Sequence, residues 1–209
     1  MLSLEDVYER YRADDRFEHL RLPSIRLVPG TGSESASFFV VGEAPGATEN
    51  LKGRPFCGAS GRALDSLMFI AGVRTGWVGK QTGLRVPPER AEGVPPNAFI
   101  TNVVKYRPPG NRTPTSREIE ASRSYLRAEW NAVGKPNVIV ALGVTALNAL
   151  GSVGSISGGL WGKPMQLVNG SWLWPMYHPA FGLRNPVMRP VMEAHWLEFG
   201  EWNDARANR

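Results

Sequence analysis

The chain has 209 residues, 42% of them hydrophobic, enough for one sizeable core and too little to make two full domains the expectation. Lysine and arginine number 24 against 19 acidic residues, a formal charge of +5 that favours an anionic partner such as nucleic acid. A single cysteine, Cys57, excludes an internal disulfide framework and a multi-cysteine zinc site, and the charged stretch MLSLEDVYERYRADDRFEHL offers neither a signal-peptide core nor a membrane span, so a soluble cytoplasmic protein is expected.

Residues 4–17 pattern as an amphipathic helix, broken by Pro23, Pro29, Gly30 and Gly32. Residues 38–41 have the β-branched and aromatic character of a buried strand, and the GEAPG that follows stops it in a loop. Ser60 is the expected N-cap of a helix over GRALDSLMFIAG, which Gly72 would end. Residues 74–97, rich in Gly, Pro and basic side chains, predict a long loop that either clamps an anionic partner or covers part of the fold. AFITNVV is a second strand, followed by the Pro- and Arg-rich KYRPPGNRTPT, where Thr115 and Glu118 are spaced as a capping box opening a helix to about residue 132. A third strand over 137–142, a short helix over 143–150, extended pieces at 165–168 and 172–176, and a closing helix over 190–202 complete the reading. Alternating strands and helices predict a layered α/β domain with a mainly parallel sheet and ligands at the carboxyl ends of its strands.

Three post-strand loops carry unusual polar groups: GEAPG, Asn102 at the end of the second strand, and YHPAFGLRNP after the last. A carboxylate, an amide and an imidazole are groups suited to binding a base edge and stabilising a leaving anion. VVGEAPGATEN, KGRPFCGASGRALD, ITNVVKYRPPGNRTPTSREI and MYHPAFGLRNP resemble, in order and spacing, the successive motifs of the family 4 uracil-DNA glycosylases. The resemblance spans residues 38–196 and implies a three-layer α/β/α sandwich with a central four-stranded parallel sheet. It also implies removal of uracil from DNA as free base; a monomer that needs no metal or other cofactor is expected, because this chain departs from the family's metal-binding pattern as described below.

Carried over by motif position, Gly42 and Ala44 would lie against the flipped base, Glu43 would organise the attacking water, and Glu49 would occupy an acidic position beside them. Phe56 would stack on the uracil ring, since an aromatic face contributes about 1–3 kcal/mol of base stacking. The amide of Asn102 would accept from N3–H and donate to O4 of uracil, where cytosine presents the reverse pattern. His178 would donate to O2 of the departing base. Leu183 would wedge into the space left by the flipped nucleotide, with Arg184 and Asn185 beside it, and Lys105, Arg107 and Arg112 would hold phosphates.

The family holds a four-iron, four-sulfur cluster through four cysteines, and this sequence lacks all four. Tyr106 stands at one cysteine position, Ser122 at another, and the N-terminal pair is absent. No cluster is expected, and Tyr106 with its neighbours is expected to fill the space by packing. A related branch that cross-links to uracil-DNA carries a histidine in the loop after the second strand; KYRPPGNRTPT has none, so turnover is expected.

Plainer readings stand beside these. Glu43 fits a turn cap, Asn102 a strand-end turn residue, Phe56 a core position, His178 a satisfied structural histidine and Cys57 a small packed residue. Glu49 fits a loop-holding carboxylate as well as a binding one. Two functional alternatives stay open: a glycosylase for hypoxanthine, xanthine or a 5-substituted uracil, and a DNA-binding relative without turnover.

Overall fold

The computed structural model describes residues 2–73, 97–151 and 159–207. The expected 74–97 loop lies, but for Asn97, outside the described residues.

Helix α1 (Leu4–Ala13) begins at a capping box in which Ser3 and Asp6 bond each other's backbone, and a 3-10 turn (Asp15–Leu20) replaces its expected last turn. Strand β1 (Thr31–Gly32) precedes β2 (Phe38–Gly42), after which come α2 (Ala47–Lys52) and α3 (Ala59–Ile70). Strand β3 (Ala98–Asn102) leads through the PPGNR loop to α4 (Ser116–Ala132), capped as expected by Thr115 and Glu118. Strand β4 (Val138–Leu142), α5 (Gly143–Ala149), β5 (Met165–Gln166), β6 (Trp172–Met176), α6 (Pro179–Arg184) and α7 (Arg189–Ala207) follow.

Among the described residues the sheet has six strands in the order β1-β3-β2-β4-β6-β5, rather than four. Strands β3, β2, β4 and β6 pair in parallel, and the two-residue β1 and β5 add an antiparallel edge on each side. Side chains alternate across the pleat. Phe39, Val41, Phe99, Ile139 and Leu173 pack with Tyr11, Phe17, Leu126 and Leu147 beneath α1, α4 and α5. Phe38, Val40, Ile100, Val140, Trp174 and Met176 pack with Leu64, Met68, Met192, Trp196 and Phe199 beneath α3 and α7. Helices therefore cover both faces, which explains why the four parallel strands are apolar along their length.

Two of the differences from the sequence reading have clear local reasons. Ser60 is inside α3 and Gly58 is its N-cap. The Glu49 carboxylate accepts from the Cys57 and Gly58 N–H groups at 3.0 and 2.8 Å, satisfying the helix start from outside, so no serine cap is needed. YHPAFGLRNP, read as a loop, contains α6, because Pro179 sits at a first-turn position and His178 caps it.

Candidate active site

Parallel register decides which loops meet. Gly42 is the pairing partner of Asn102, and Leu142 of Met176, so the chain leaves β2, β3, β4 and β6 at one end of the sheet. After β2 the chain runs to α3 on one face, and after β4 to α5 on the other, which opens a crevice between these strands. Across it the Thr145 hydroxyl donates to Oε2 of Glu43 at 2.6 Å. The Glu43 loop is also held by its backbone: Val103 N–H donates to the Gly42 carbonyl at 2.9 Å and Val104 N–H to the Glu43 carbonyl at 3.1 Å.

A cleft of about 340 Å³ gathers Ala44, Glu49, Phe56, Asn102, His178 and Arg184. Glycine at 42 is a steric requirement, because a methyl group there would overlap the Phe56 ring and the Asn102 amide oxygen. The residue is thus a floor on which both side chains rest. Phe56 itself has φ +50°, a left-handed conformation costly for an aromatic residue, and its carbonyl sits where a side chain at Gly61 would project. Close packing on the first turn of α3 holds the ring in that conformation, 5.9 Å from the His178 imidazole at an interplanar angle of 34°.

Asn102 is 3% exposed, and its side-chain amide has no hydrogen-bond partner among the described residues. A nearly buried amide with free donor and acceptor capacity facing a cleft is set up to bind a matching edge. His178 has the opposite constraint: Nδ1 accepts from Ala180 N–H at 3.2 Å, which places the ring proton on Nε2. Burial, aided by the Arg184 guanidinium and opposed by Glu49, pulls the imidazole down to about 4, so at neutral pH it is an uncharged donor.

Glu49 lines the cleft, and its oxygens accept from the Gly46, Cys57 and Gly58 N–H groups, so it holds the two loops together, the loop-holding role that its motif position left open beside a binding one. The Cys57 thiol donates to the Arg54 and Thr48 carbonyls and is raised by burial and by Glu49, as expected of a packed, unreactive side chain.

The expected phosphate contacts divide. Lys105 is fully buried, 2.7 Å from Oε2 of Glu129, and cannot reach DNA. Its charge is neutralised inside the fold, a pairing invisible in local sequence. Arg107 is half-buried and donates to the Asn111 amide oxygen at 2.6 Å, holding Asn111 at the rim of the cleft. Arg112 pairs through both terminal nitrogens with buried Glu118, while its guanidinium stays partly exposed. Leu183, Arg184 and Asn185 are exposed at the end of α6, and Leu183 borders a second cavity of about 380 Å³ with Arg62 and Arg189.

The residues present do not fit an iron–sulfur cluster. Tyr106 is buried, its ring centroid is 5.7 Å from that of Tyr11, and Tyr11 in turn stacks on Phe17 at 4.1 Å and meets Tyr125 edge-on. The Tyr11 hydroxyl lies 3.3 Å from that of Ser122. Phenol and alcohol groups bonded to each other and packed ring on ring supply no thiolate. Thr145, Glu129 and Tyr8, all in direct contact with candidate residues or their network, escaped the sequence reading; a threonine one turn into the helix after β4 was the available signal for the first.

The family model described as the uracil DNA glycosylase superfamily matches residues 29–199. A type-4 uracil-DNA glycosylase of Archaeoglobus fulgidus is 32% identical over 96% of this chain and 94% of its own length. One from Pyrobaculum aerophilum is 37% identical over 78% of this chain and 76% of its length. A type-5 uracil-DNA glycosylase of Thermus thermophilus is 38% identical over 60% and 54% of the two chains.

Proposed function

The chain belongs to the uracil DNA glycosylase superfamily, and from that premise we infer that it is a uracil-DNA glycosylase, which flips uracil out of DNA and hydrolyses its N-glycosidic bond to leave an abasic site. The observation that carries the reading is the cleft in which an aromatic face, an unpartnered amide and a neutral imidazole donor meet above Gly42.

In this mechanism the extruded uracil lies on Phe56 between the Gly42–Ala44 backbone and Asn102. The amide oxygen accepts from N3–H while the amide nitrogen donates to O4; cytosine reverses both and leaves a buried group unpaired. As the bond between C1′ and N1 breaks, its electron pair passes into the base and negative charge builds on O2. The Nε2–H of His178 donates to that oxygen, and being neutral it stabilises the charge without releasing its proton. Thr145 occupies one oxygen of Glu43, which leaves the other to orient water toward C1′. Water oxygen bonds to C1′ and its proton passes to the carboxylate, from which it is lost to solvent or the uracil anion.

Extrusion costs a few kcal/mol, offset by Leu183 entering the stack and by Arg184, Asn185, Arg107 and Arg112 on the backbone, an attraction that weakens with salt. The enzyme works as a monomer in the reducing cytoplasm without an iron–sulfur cluster.

The test is an end-labelled duplex carrying a single uracil, incubated with the protein and treated with alkali, beside thymine, hypoxanthine and xanthine duplexes. Scission at uracil alone is expected. Scission at hypoxanthine or xanthine instead would move the substrate to another base, and intact DNA with binding retained would leave a non-catalytic DNA-binding protein.

A further inference from the structure

A fully buried charged group lies outside the mechanism above. Lys105 Nζ reaches three oxygens: Oε2 of Glu129 at 2.7 Å, the Thr101 hydroxyl at 2.7 Å, and the main-chain carbonyl of Asn102. Glu129 is equally buried, and its Oε1 accepts from the Tyr8 hydroxyl at 2.5 Å and from Thr101 at 3.0 Å. Tyr8 in turn accepts from Gly30 N–H at 2.7 Å. The ammonium is thus tied at one end to α4 and α1 and at the other to the last residue of β3.

Burying such a pair is a poor way to gain stability, because desolvation of both ions consumes most of the attraction and a well-packed apolar pair of the same volume serves as well or better. Its location is informative. The chain from Asn102 to Lys105 turns away from the sheet, and the main-chain bonds from Val103 and Val104 hold the far side of that turn to the Gly42–Glu43 loop. The Asn102 carbonyl points the other way, into the interior, where the lysine holds it.

We propose that Lys105, locked by Glu129, Thr101 and Tyr8, is a positioning residue for the base-reading amide: by gripping the main-chain carbonyl of Asn102 it fixes where that residue's side chain stands over Gly42. The proposal rests on the reading of Asn102 as the uracil reader. The side-chain amide that must discriminate N3–H and O4 from their cytosine counterparts has no hydrogen-bond partner among the described residues, so the direction they give it comes through its backbone. A backbone gripped from both sides supplies that direction. An apolar substitute for the ion pair would fill the volume and leave the carbonyl without its donor.

The test uses the full chain with Lys105→Met and Glu129→Leu made together, which removes both charges and keeps the volume. Circular dichroism is expected to stay near wild type, melting to fall because the Tyr8 and Thr101 hydroxyls and the Asn102 carbonyl lose partners, and affinity for abasic-site DNA to stay within about twofold, whereas inhibition by free uracil weakens about tenfold and the uracil-over-cytosine ratio in single-turnover cleavage falls about tenfold. In the free protein, the side-chain amide NMR signals of Asn102 broaden or split. Thr101→Val, which removes one hydroxyl from the bracket, serves if the double variant does not fold, with uracil inhibition expected to weaken about threefold. A folded variant with wild-type uracil inhibition and unchanged Asn102 amide signals overturns the proposal. Wild-type protein that neither cleaves uracil-DNA nor is inhibited by uracil would instead sink the functional reading, and the amide signals would still decide whether the lysine sets the side chain.

Discussion

The cleft over Gly42 and the aromatic corner around Tyr106 lie on either side of the same short turn after β3, and they treat their polar groups in opposite ways. In the corner, Tyr11 bonds Ser122 and accepts from Lys105 N–H, Ser122 donates to the Glu118 carbonyl, and the rings of Tyr11, Phe17, Tyr106 and Tyr125 fill the space between. Tyr11, Ser122 and Tyr125 are each satisfied within the fold. In the cleft the Asn102 amide has no hydrogen-bond partner among the described residues, Phe56 sits at positive φ, and His178 is held neutral with its Nε2–H directed outward from its cap bond. A site that must bind and polarise a ligand retains unsatisfied groups and backbone strain, and the rest of the molecule must hold them in place.

The sharpest way to break this contrast is to find chemistry in the corner or stability in the cleft. His178→Ala is expected to lower the single-turnover cleavage rate by about 10²–10³-fold, the effect of removing one preorganised donor, with abasic-DNA affinity nearly unchanged. Quench assays on the uracil duplex measure the first and filter binding the second. Gly42→Ala comes next. Its methyl group displaces the Phe56 ring and the Asn102 amide, so cleavage falls by about 10²-fold while overpacking costs about 1–3 kcal/mol in urea denaturation.

Tyr11→Phe tests the other side. It leaves Lys105 N–H without its acceptor and Ser122 without its partner, and a loss of about 1–2 kcal/mol of stability with unchanged cleavage is expected. A variant that lost cleavage while melting normally would show that the corner is catalytically coupled.

The mildest probe is acid. The His178 pKa falls from an ordinary 6.5 to about 4, so the unfolded chain takes up its proton first. The stability due to neutral His178 is complete above about pH 6.5 and is lost as pH falls toward 4. Glu118 borders the corner, and there burial, which alone would raise the carboxyl, is outweighed by bonds from Arg112, His19 and Thr115 that bring it from 4.5 to about 2. Its contribution is complete above about pH 4.5 and is lost as pH falls through 2. Melting temperature against pH should therefore decline in two stages, the first absent in His178→Gln and the second in Glu118→Gln. Cleavage should show no acid limb near pH 6.5 from His178.

Much of this was legible in the chain. Buried strands at 38–41 and 137–142 announce themselves as apolar β-branched runs, and Thr115 with Glu118 marks the start of α4 because a capping box is a local bond between residues three apart. The candidate residues Phe56, Asn102 and His178 stood in motifs whose order along the chain implied one site. What sequence could not supply were the non-local assignments. Lys105 looked like a phosphate ligand since charged side chains default to the surface; its partner Glu129 is 24 residues away and Tyr8 lies 121 residues from Glu129. Glu49 fitted a binding or a loop-holding carboxylate by sequence, and only the folded chain shows that its oxygens hold the Gly46, Cys57 and Gly58 N–H groups. Local pattern sets the elements and the chemistry available, because propensity and capping act over a few residues. Tertiary structure alone decides which charges are neutralised inside and which polar groups are left free, because burial and pairing depend on segments that sequence holds far apart.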